Sequence, residues 1–267
     1  MLATPAPLPS SPPPPKPRTL FLRWRQWLNR LDDEFAELLR NRRHFRALQA
    51  IWNANLGRIE RAEIGRWMVQ GYVAYACTTI RRLAEPPSNR RPPSNPRIDP
   101  RLCISLIILL REIQTHAVLF TRARLRNIYV RANPDRQTVF ERVADRDFNA
   151  VARNSRASSL PSRRIDQDVM AICRATRSID RFVNKTIAHH ERHRRRVGRP
   201  IRYGEIDRTI DVLLECFKRY HLFVVGRGAN PERDDDDVDI RPDLARLWPE
   251  AVLPPEWRDE VGIDERL

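Results

Sequence analysis

Apolar side chains recur at three- and four-residue spacing along several long segments of the chain, the pattern of helices that bury one face. The first segment begins at Thr19 and carries the stripe Leu20, Trp24, Trp27, Leu28, Leu31, Phe35 and Leu38. Further segments cover residues 60–85, 101–127, 165–192 and 205–225, and a shorter helix is expected after Pro134. No segment shows the alternation that is typical of a strand. The pattern therefore predicts an all-α fold, an up-and-down bundle of about five long helices.

The two ends of the chain differ in composition from this helical region. Residues 1–18 contain four consecutive prolines and few apolar side chains, which predicts a disordered or polyproline II extension. The bundle is then expected over residues 19–228. Residues 229–267 form an acidic tail, which we expect to be mostly irregular, although Trp248 and Trp257 can fold back onto the bundle.

The charge of the chain is strongly positive and unevenly distributed. Among its 267 residues are 49 Lys and Arg against 34 Asp and Glu, a net charge of +15. Residues 229–267 hold 13 acidic and five basic residues, so their net charge is −8 and residues 1–228 carry +23. An excess of this size indicates a polyanionic partner. The run Asp234–Asp237 offers an internal competitor that can mask the basic surface.

Composition and spacing exclude several classes of protein. With only eight glycines, the chain has no glycine-rich loop of the kind that holds nucleotide phosphates. Its longest uncharged run, residues 67–80, has 14 residues, whereas roughly 20 are needed to cross a bilayer. The proline-rich start does not resemble a signal peptide. We therefore expect a cytoplasmic protein with no membrane segment and no cofactor.

Cysteines and tryptophans fall within the apolar helical pattern. The cysteines are widely spaced, at Cys77, Cys103, Cys173 and Cys216. This spacing fits neither a zinc site nor a disulfide framework, so buried, reduced thiols are expected. The tryptophans at positions 24, 27, 52 and 67 occupy apolar registers, which predicts a place in the core rather than a role in base stacking.

Titratable and basic side chains are concentrated between Asp180 and His193, a segment that contains three of the six histidines. On an α-helix, Lys185 and His189 lie about 40° apart around the axis, with Arg181 one turn earlier and Arg192 on the same stripe. Cations beside an imidazole that titrates near neutral pH suit the binding or cleavage of a phosphodiester. The alternative is a solvated helix face without chemistry.

Two further patterns follow in the same segment. His190-Glu191-Arg192-His193 resembles the start of a zinc-protease motif, but Arg194 stands where the second histidine is required, so no metal site is expected. Arg194-Arg195-Arg196, together with Arg192, forms a basic run that can bind nucleic-acid phosphates independently of sequence. The alternative is a charged helix end that interacts favourably with the helix dipole.

The segment Asn184-Lys185-Thr186-Ile187-Ala188-His189 resembles the signature helix of the HEPN superfamily, and in particular its AbiU-like branch, named after a phage abortive-infection protein. Three further segments are similar to that family and occur in the same order. They are residues 75–83 ending in Ile80-Arg81-Arg82-Leu83, Ser105-Leu106 with Leu109-Leu110, and residues 206–220. The resemblance covers residues 45–225.

The resemblance implies a bundle of four or five helices that commonly dimerises, with metal-independent ribonuclease activity near the dimer seam in many members. It implies that His189 transfers the proton, that Asn184 orients a neighbouring group, and that Lys185 and Arg181 bind the phosphate. The residues expected to hold RNA, including tRNA, are Arg192, Arg194, Arg195, Arg196 and Arg82. The resemblance also implies a prokaryotic toxin or phage-defence setting, with an antitoxin or defence protein as a partner.

One position departs from the family pattern. The family's arginine is replaced by Val183, and a cation that stabilises the charge of the transition state contributes several kcal/mol. Arg181, Lys185 or Arg82 can replace it. The alternatives are a catalytically impaired scaffold that binds RNA or a partner protein, and a purely structural helical interaction protein.

Overall fold

A computed structural model describes residues 16–55, 62–86, 104–188, 201–226, 228–231, 239–248, 251–254 and 257. These residues form eight α-helices: α1 (Pro17–Ala54), α2 (Ala62–Leu83), α3 (Leu106–Thr115), α4 (Arg122–Ala132), α5 (Gln137–Ala152), α6 (Ser162–Phe182), α7 (Tyr203–Val225) and α8 (Arg241–Leu247). They contain no strand, so the all-α prediction is confirmed. The expected count of five long helices is not confirmed. No helix in the described ranges combines the length and the apolar character needed to cross a membrane.

The helix predicted over residues 101–127 is interrupted in the middle. Helix α3 ends at Thr115, a short 3-10 turn covers Ala117–Leu119, and α4 starts after Thr121. The Thr121 hydroxyl accepts the backbone N–H of the residue three positions later at 3.1 Å, and Ser105 caps α3 in the same way at 3.2 Å. Each hydroxyl satisfies an N–H group that lacks a partner at a helix start. The Ser105 cap therefore marks the start of α3, and the Thr121 cap marks the start of a separate helix, α4.

The main core lies among α1, α2, α3, α6 and α7. Helix α6 packs against α2, α3 and α7, and α1 packs against α2 and α7. Most of the predicted stripe of α1 is buried, since Leu20, Trp24, Leu28, Leu31, Phe35 and Leu38 are all at most 2% exposed, while Trp27 is half-buried against the same core. Two core expectations are wrong. Trp67 is 74% exposed on α2, and Cys173 lies on the outer face of α6 while Cys77 and Cys216 are buried.

The described part of the acidic tail folds back onto α1. Trp248 is fully buried. It packs together with Trp257 against Phe45, Leu48 and Ile51 of α1 in a second, smaller core. The amide of Asn55 donates to the Val252 carbonyl at 2.8 Å and its oxygen accepts the Val252 N–H at 2.6 Å. Over this stretch the tail is ordered by burial and includes a helix, α8. The run Asp234–Asp237 and residues 1–15 lie outside the described residues.

Candidate functional site

The structure describes four of the predicted site residues, namely Arg181, Asn184, Lys185 and Arg82. Those outside the described residues are His189, Arg192, Arg194, Arg195 and Arg196. Arg181 and Asn184 are exposed at the C-terminal end of α6, and Lys185 is half-buried beside them. The described part of the predicted site is therefore accessible from solvent.

The helix predicted to run from Ile165 to Arg192 changes its geometry before it reaches His189. Helix α6 ends at Phe182 and is continued by a π-helix, Val183–Ala188. The i to i+5 hydrogen bonds of a π-helix wind the chain more slowly than an α-helix does. The angular relation predicted for Lys185 and His189 assumed α-helical geometry, and His189 itself lies outside the described residues. π-helical turns are frequent at functional sites.

Val183, where the HEPN resemblance would place an arginine, is turned into the core. Its side chain is 4% exposed and belongs to the main hydrophobic cluster. A guanidinium in that position would have to leave water and enter apolar surroundings, which is costly for an unpaired charge. In this chain, a guanidinium beside Asn184 has to come from a position other than 183.

A neighbouring helix supplies that cation. Arg81, in the last turn of α2, donates from Nη1 to Oδ1 of Asn184 at 2.7 Å. Arg82, the sequence-predicted candidate, lies differently: its Nε is 3.1 Å from Oε2 of Glu34 on α1. Of the two consecutive arginines, Arg81 is thus the one that reaches the end of α6. We refer to Arg81, Asp180, Arg181, Asn184 and Lys185 as the α6-end cluster.

Asp180 gives this cluster a carboxyl group with altered acidity. The side chain is half-buried, and burial raises its pKa, although the charge of Arg81 and a hydrogen bond with Thr176 act in the opposite direction. A titratable group perturbed by burial and by a specific charged partner is a feature of functional sites. The α6-end cluster therefore combines three cations with one carboxyl group, a set that can bind a phosphate and influence a nearby proton.

A second polar centre, which the sequence analysis missed, lies inside the bundle between α6 and α7. Asp168 is 5% exposed. It accepts hydrogen bonds from Arg219 at 2.8 Å and from the Tyr220 hydroxyl at 2.9 Å, and it forms an ion pair with Arg164 at 2.9 Å. Nε of Arg164 also donates to the Val151 carbonyl at 3.0 Å. Burial, and then the charge of Asp168, raise the pKa of Tyr220, so the phenol stays a hydrogen-bond donor.

This network borders an open groove of about 620 Å³ between α6 and α7, with Arg153 and Arg174 at its edge. One sequence signal was available for it. Arg164 and Asp168 are four residues apart, and each directly precedes a residue of the apolar stripe, Ile165 and Val169. Charged residues in an apolar register predict a buried pair, since such residues are almost never fully buried unless they are paired.

The described residues contain no group of three or more His, Cys, Asp and Glu side chains arranged to hold a metal ion. Arginine, lysine and amide groups dominate the α6-end cluster, and these groups favour anions over cations. Comparisons of the chain with protein-family models, with curated proteins and with solved structures find no match.

Proposed function

We propose that the protein is an endoribonuclease that needs no metal ion and acts at the α6-end cluster, in the manner that the HEPN resemblance implies. The observation that carries the proposal is the 2.7 Å hydrogen bond between Arg81 and Asn184. It brings a guanidinium to the signature segment, where Val183 provides none. The proposed setting is a prokaryotic toxin or defence system in the cytoplasm, with a homodimer as the assembly and a separate protein as its regulator.

In the proposed reaction, the 2′-hydroxyl of the RNA attacks the adjacent phosphorus. A bond forms between O2′ and phosphorus while the bond from phosphorus to O5′ breaks, which leaves a 2′,3′-cyclic phosphate and a 5′-hydroxyl. The reaction removes one proton from O2′ and adds one proton to O5′. His189, five positions after Asn184 in the chain, handles one of these two protons, and water exchanges the other.

The cations of the cluster act on the phosphate. Arg81, Arg181 and Lys185 stabilise the charge that develops on the non-bridging oxygens, and charge-assisted hydrogen bonds of this kind are among the strongest in proteins. Asn184 acts as a positioning residue, because its carbonyl oxygen holds the Arg81 guanidinium. Asp180 limits the net charge of the cluster through its proximity to Arg81.

A second candidate function is binding of RNA or of a partner protein without cleavage. The observation that favours it is the burial of Val183, which removes the family's cation from the signature helix itself. In this case the α6-end cluster holds a phosphate, but no group completes the reaction.

The test uses full-length protein, total RNA and purified tRNA, with EDTA present. Under the first proposal, wild-type protein cleaves RNA to cyclic-phosphate ends, His189→Ala abolishes cleavage, and Arg81→Ala lowers kcat by roughly 10²- to 10³-fold. Arg66→Ala is the control, since Arg66 is exposed on the same helix about 22 Å away along its axis. Binding without cleavage would support the second candidate. A protein that neither binds nor cleaves RNA would refute both and leave a structural interaction protein.

A further inference from the structure

The outward face of α6 carries a regular row of arginines. Six exposed positions follow one another along this helix at alternating intervals of four and three residues: Arg163, Gln167, Met170, Arg174, Arg177 and Arg181. Four of these six side chains are arginines. We call Arg163, Arg174, Arg177 and Arg181 the α6 arginine row.

The α6 arginine row is not neutralised by carboxylates of the described residues. No ion pair within 4.0 Å joins its members to an acid in those ranges, and Nε of Arg174 donates instead to the Met170 carbonyl at 3.3 Å. The three acids of the same helix interact with other groups, and Asp180 interacts with Arg81 and Thr176. Asp166 pairs with Arg111 at 2.7 Å, and Asp168 is held in the buried network. The row therefore presents four positive charges to solvent.

The length of the row selects an elongated partner. Arg163 and Arg181 are 18 residues apart, which corresponds to about 27 Å along an α-helix. A small anion can contact only neighbouring members such as Arg177 and Arg181, whereas a chain of phosphates can follow the entire row. Guanidinium groups also match phosphate geometry through paired hydrogen bonds. The C-terminal member, Arg181, belongs at the same time to the α6-end cluster.

From this geometry we infer that the α6 arginine row is a track for the sugar-phosphate backbone of an RNA strand, leading it to the α6-end cluster. The choice of RNA rests on the proposed function, while the row itself rests on exposure, spacing and charge. Contacts of this kind are independent of base sequence, and each contact releases counterions, so binding should weaken as salt is added.

The experiment compares two triple variants of the full chain that lose the same charge. R163Q/R174Q/R177Q removes three members of the row and leaves Arg181 in place. R131Q/R136Q/R142Q removes three arginines that are exposed on or next to α4 and α5. Binding of a fluorescent 20-nucleotide 2′-O-methyl RNA, which cannot be cleaved through its 2′ oxygen, is measured by anisotropy over a series of KCl concentrations. Circular dichroism and thermal unfolding verify that both variants are folded.

The row variant is expected to bind about 50-fold more weakly than wild type at 0.15 M salt, and the slope of log K against log salt should decrease in magnitude by about 2. The control variant should keep the wild-type slope and lose less than about threefold in affinity, because it changes only the long-range field. Equal losses in the two variants, or no loss in either, would overturn the inference.

Two further outcomes separate this inference from the proposed function. If wild type binds the oligonucleotide through the row but cleaves no RNA, the track is supported and the nuclease is not. If wild type cleaves RNA and the row variant binds like the control, the nuclease is supported and the track is not. A poly-glutamate chain of equal length that binds as tightly as RNA, and only when the row is intact, would overturn the assignment of RNA in favour of an acidic protein.

Discussion

Replacing Asp168 by asparagine removes a carboxylate that accepts hydrogen bonds from Arg219 and Tyr220 and forms an ion pair with Arg164, all at 2.8–2.9 Å. The amide keeps the shape of the carboxyl group but carries no charge, and its NH₂ group would face donors. Arg164 is then left as a cation with a side chain that is only 7% exposed. Since a buried charge is tolerated only when it is paired, the loss falls mainly on this residue.

The size of the effect follows from the unequal burial of the two arginines. Breaking a buried ion pair by removing one partner costs about 3–5 kcal/mol. Arg219 contributes less to this loss, because its side chain is 20% exposed and Glu215 lies 3.5 Å away. We therefore expect Asp168→Asn to lower the free energy of unfolding by about 3–5 kcal/mol through Arg164, which corresponds to a decrease in Tm of about 6–20 °C.

Urea unfolding followed by tryptophan fluorescence measures this loss. Asp166→Asn is the matched control, because Asp166 lies on the same helix and pairs with Arg111 at 2.7 Å, with both side chains 43% exposed. Exposed pairs contribute about 0–1 kcal/mol, so the control should remain close to wild type. If Asp168→Asn also changed stability by less than about 1 kcal/mol, the view that Arg164 depends on this carboxylate would be refuted.

Two further predictions concern the tail and the α6-end cluster. Trp248→Ala should lower the free energy of unfolding by about 3–5 kcal/mol, because Trp248 is fully buried against α1. Trp67→Ala, at a side chain that is 74% exposed, should change it by about 0.5 kcal/mol or less. Equal losses in urea titrations of the two variants would contradict the packing of the tail on α1. Because burial raises the pKa of Asp180 above its value in the unfolded chain, ionisation of this group disfavours the folded state as the pH rises through that range. Asp180→Asn should therefore increase stability at pH 7 and give no such gain near pH 3, and urea titrations that show the same change at both pH values would contradict it.

Periodicity predicted the long helices closely and the local breaks poorly. Helix α1 starts at Pro17, where Thr19 was expected, and α7 covers Tyr203–Val225, where the pattern began at Glu205. Such agreement arises because a long apolar stripe has to face the core. The break between α3 and α4 includes one hydroxyl cap, Thr121, and a threonine inside an apolar pattern gives no clear sign that it acts as a cap.

The sequence located the end of α6 as the candidate site but not the side chain that completes it. Asn184 and Arg81 are separated by 103 residues, and no spacing rule selects Arg81 over Arg82. The choice follows from the rotation of α2, which pairs Arg82 with Glu34. Asp168 was overlooked for a different reason, since the apolar stripe around it indicated a helix face and the charged residues within that stripe were not interpreted as a pair.

The structure places three distinct surfaces on α6, and their separation explains why the candidate site needs a second helix. The inner face buries Ile165, Ile172 and Ile179 in the core, and the outer face carries the α6 arginine row. At the C-terminal end, the main chain turns Val183 inward while Asn184 stays exposed, so position 183 offers no cation next to the amide. Arg81 provides it, and its position depends on the packing of α2 against the π-helix. The proposed active site is therefore a property of the assembled bundle rather than of the signature segment by itself.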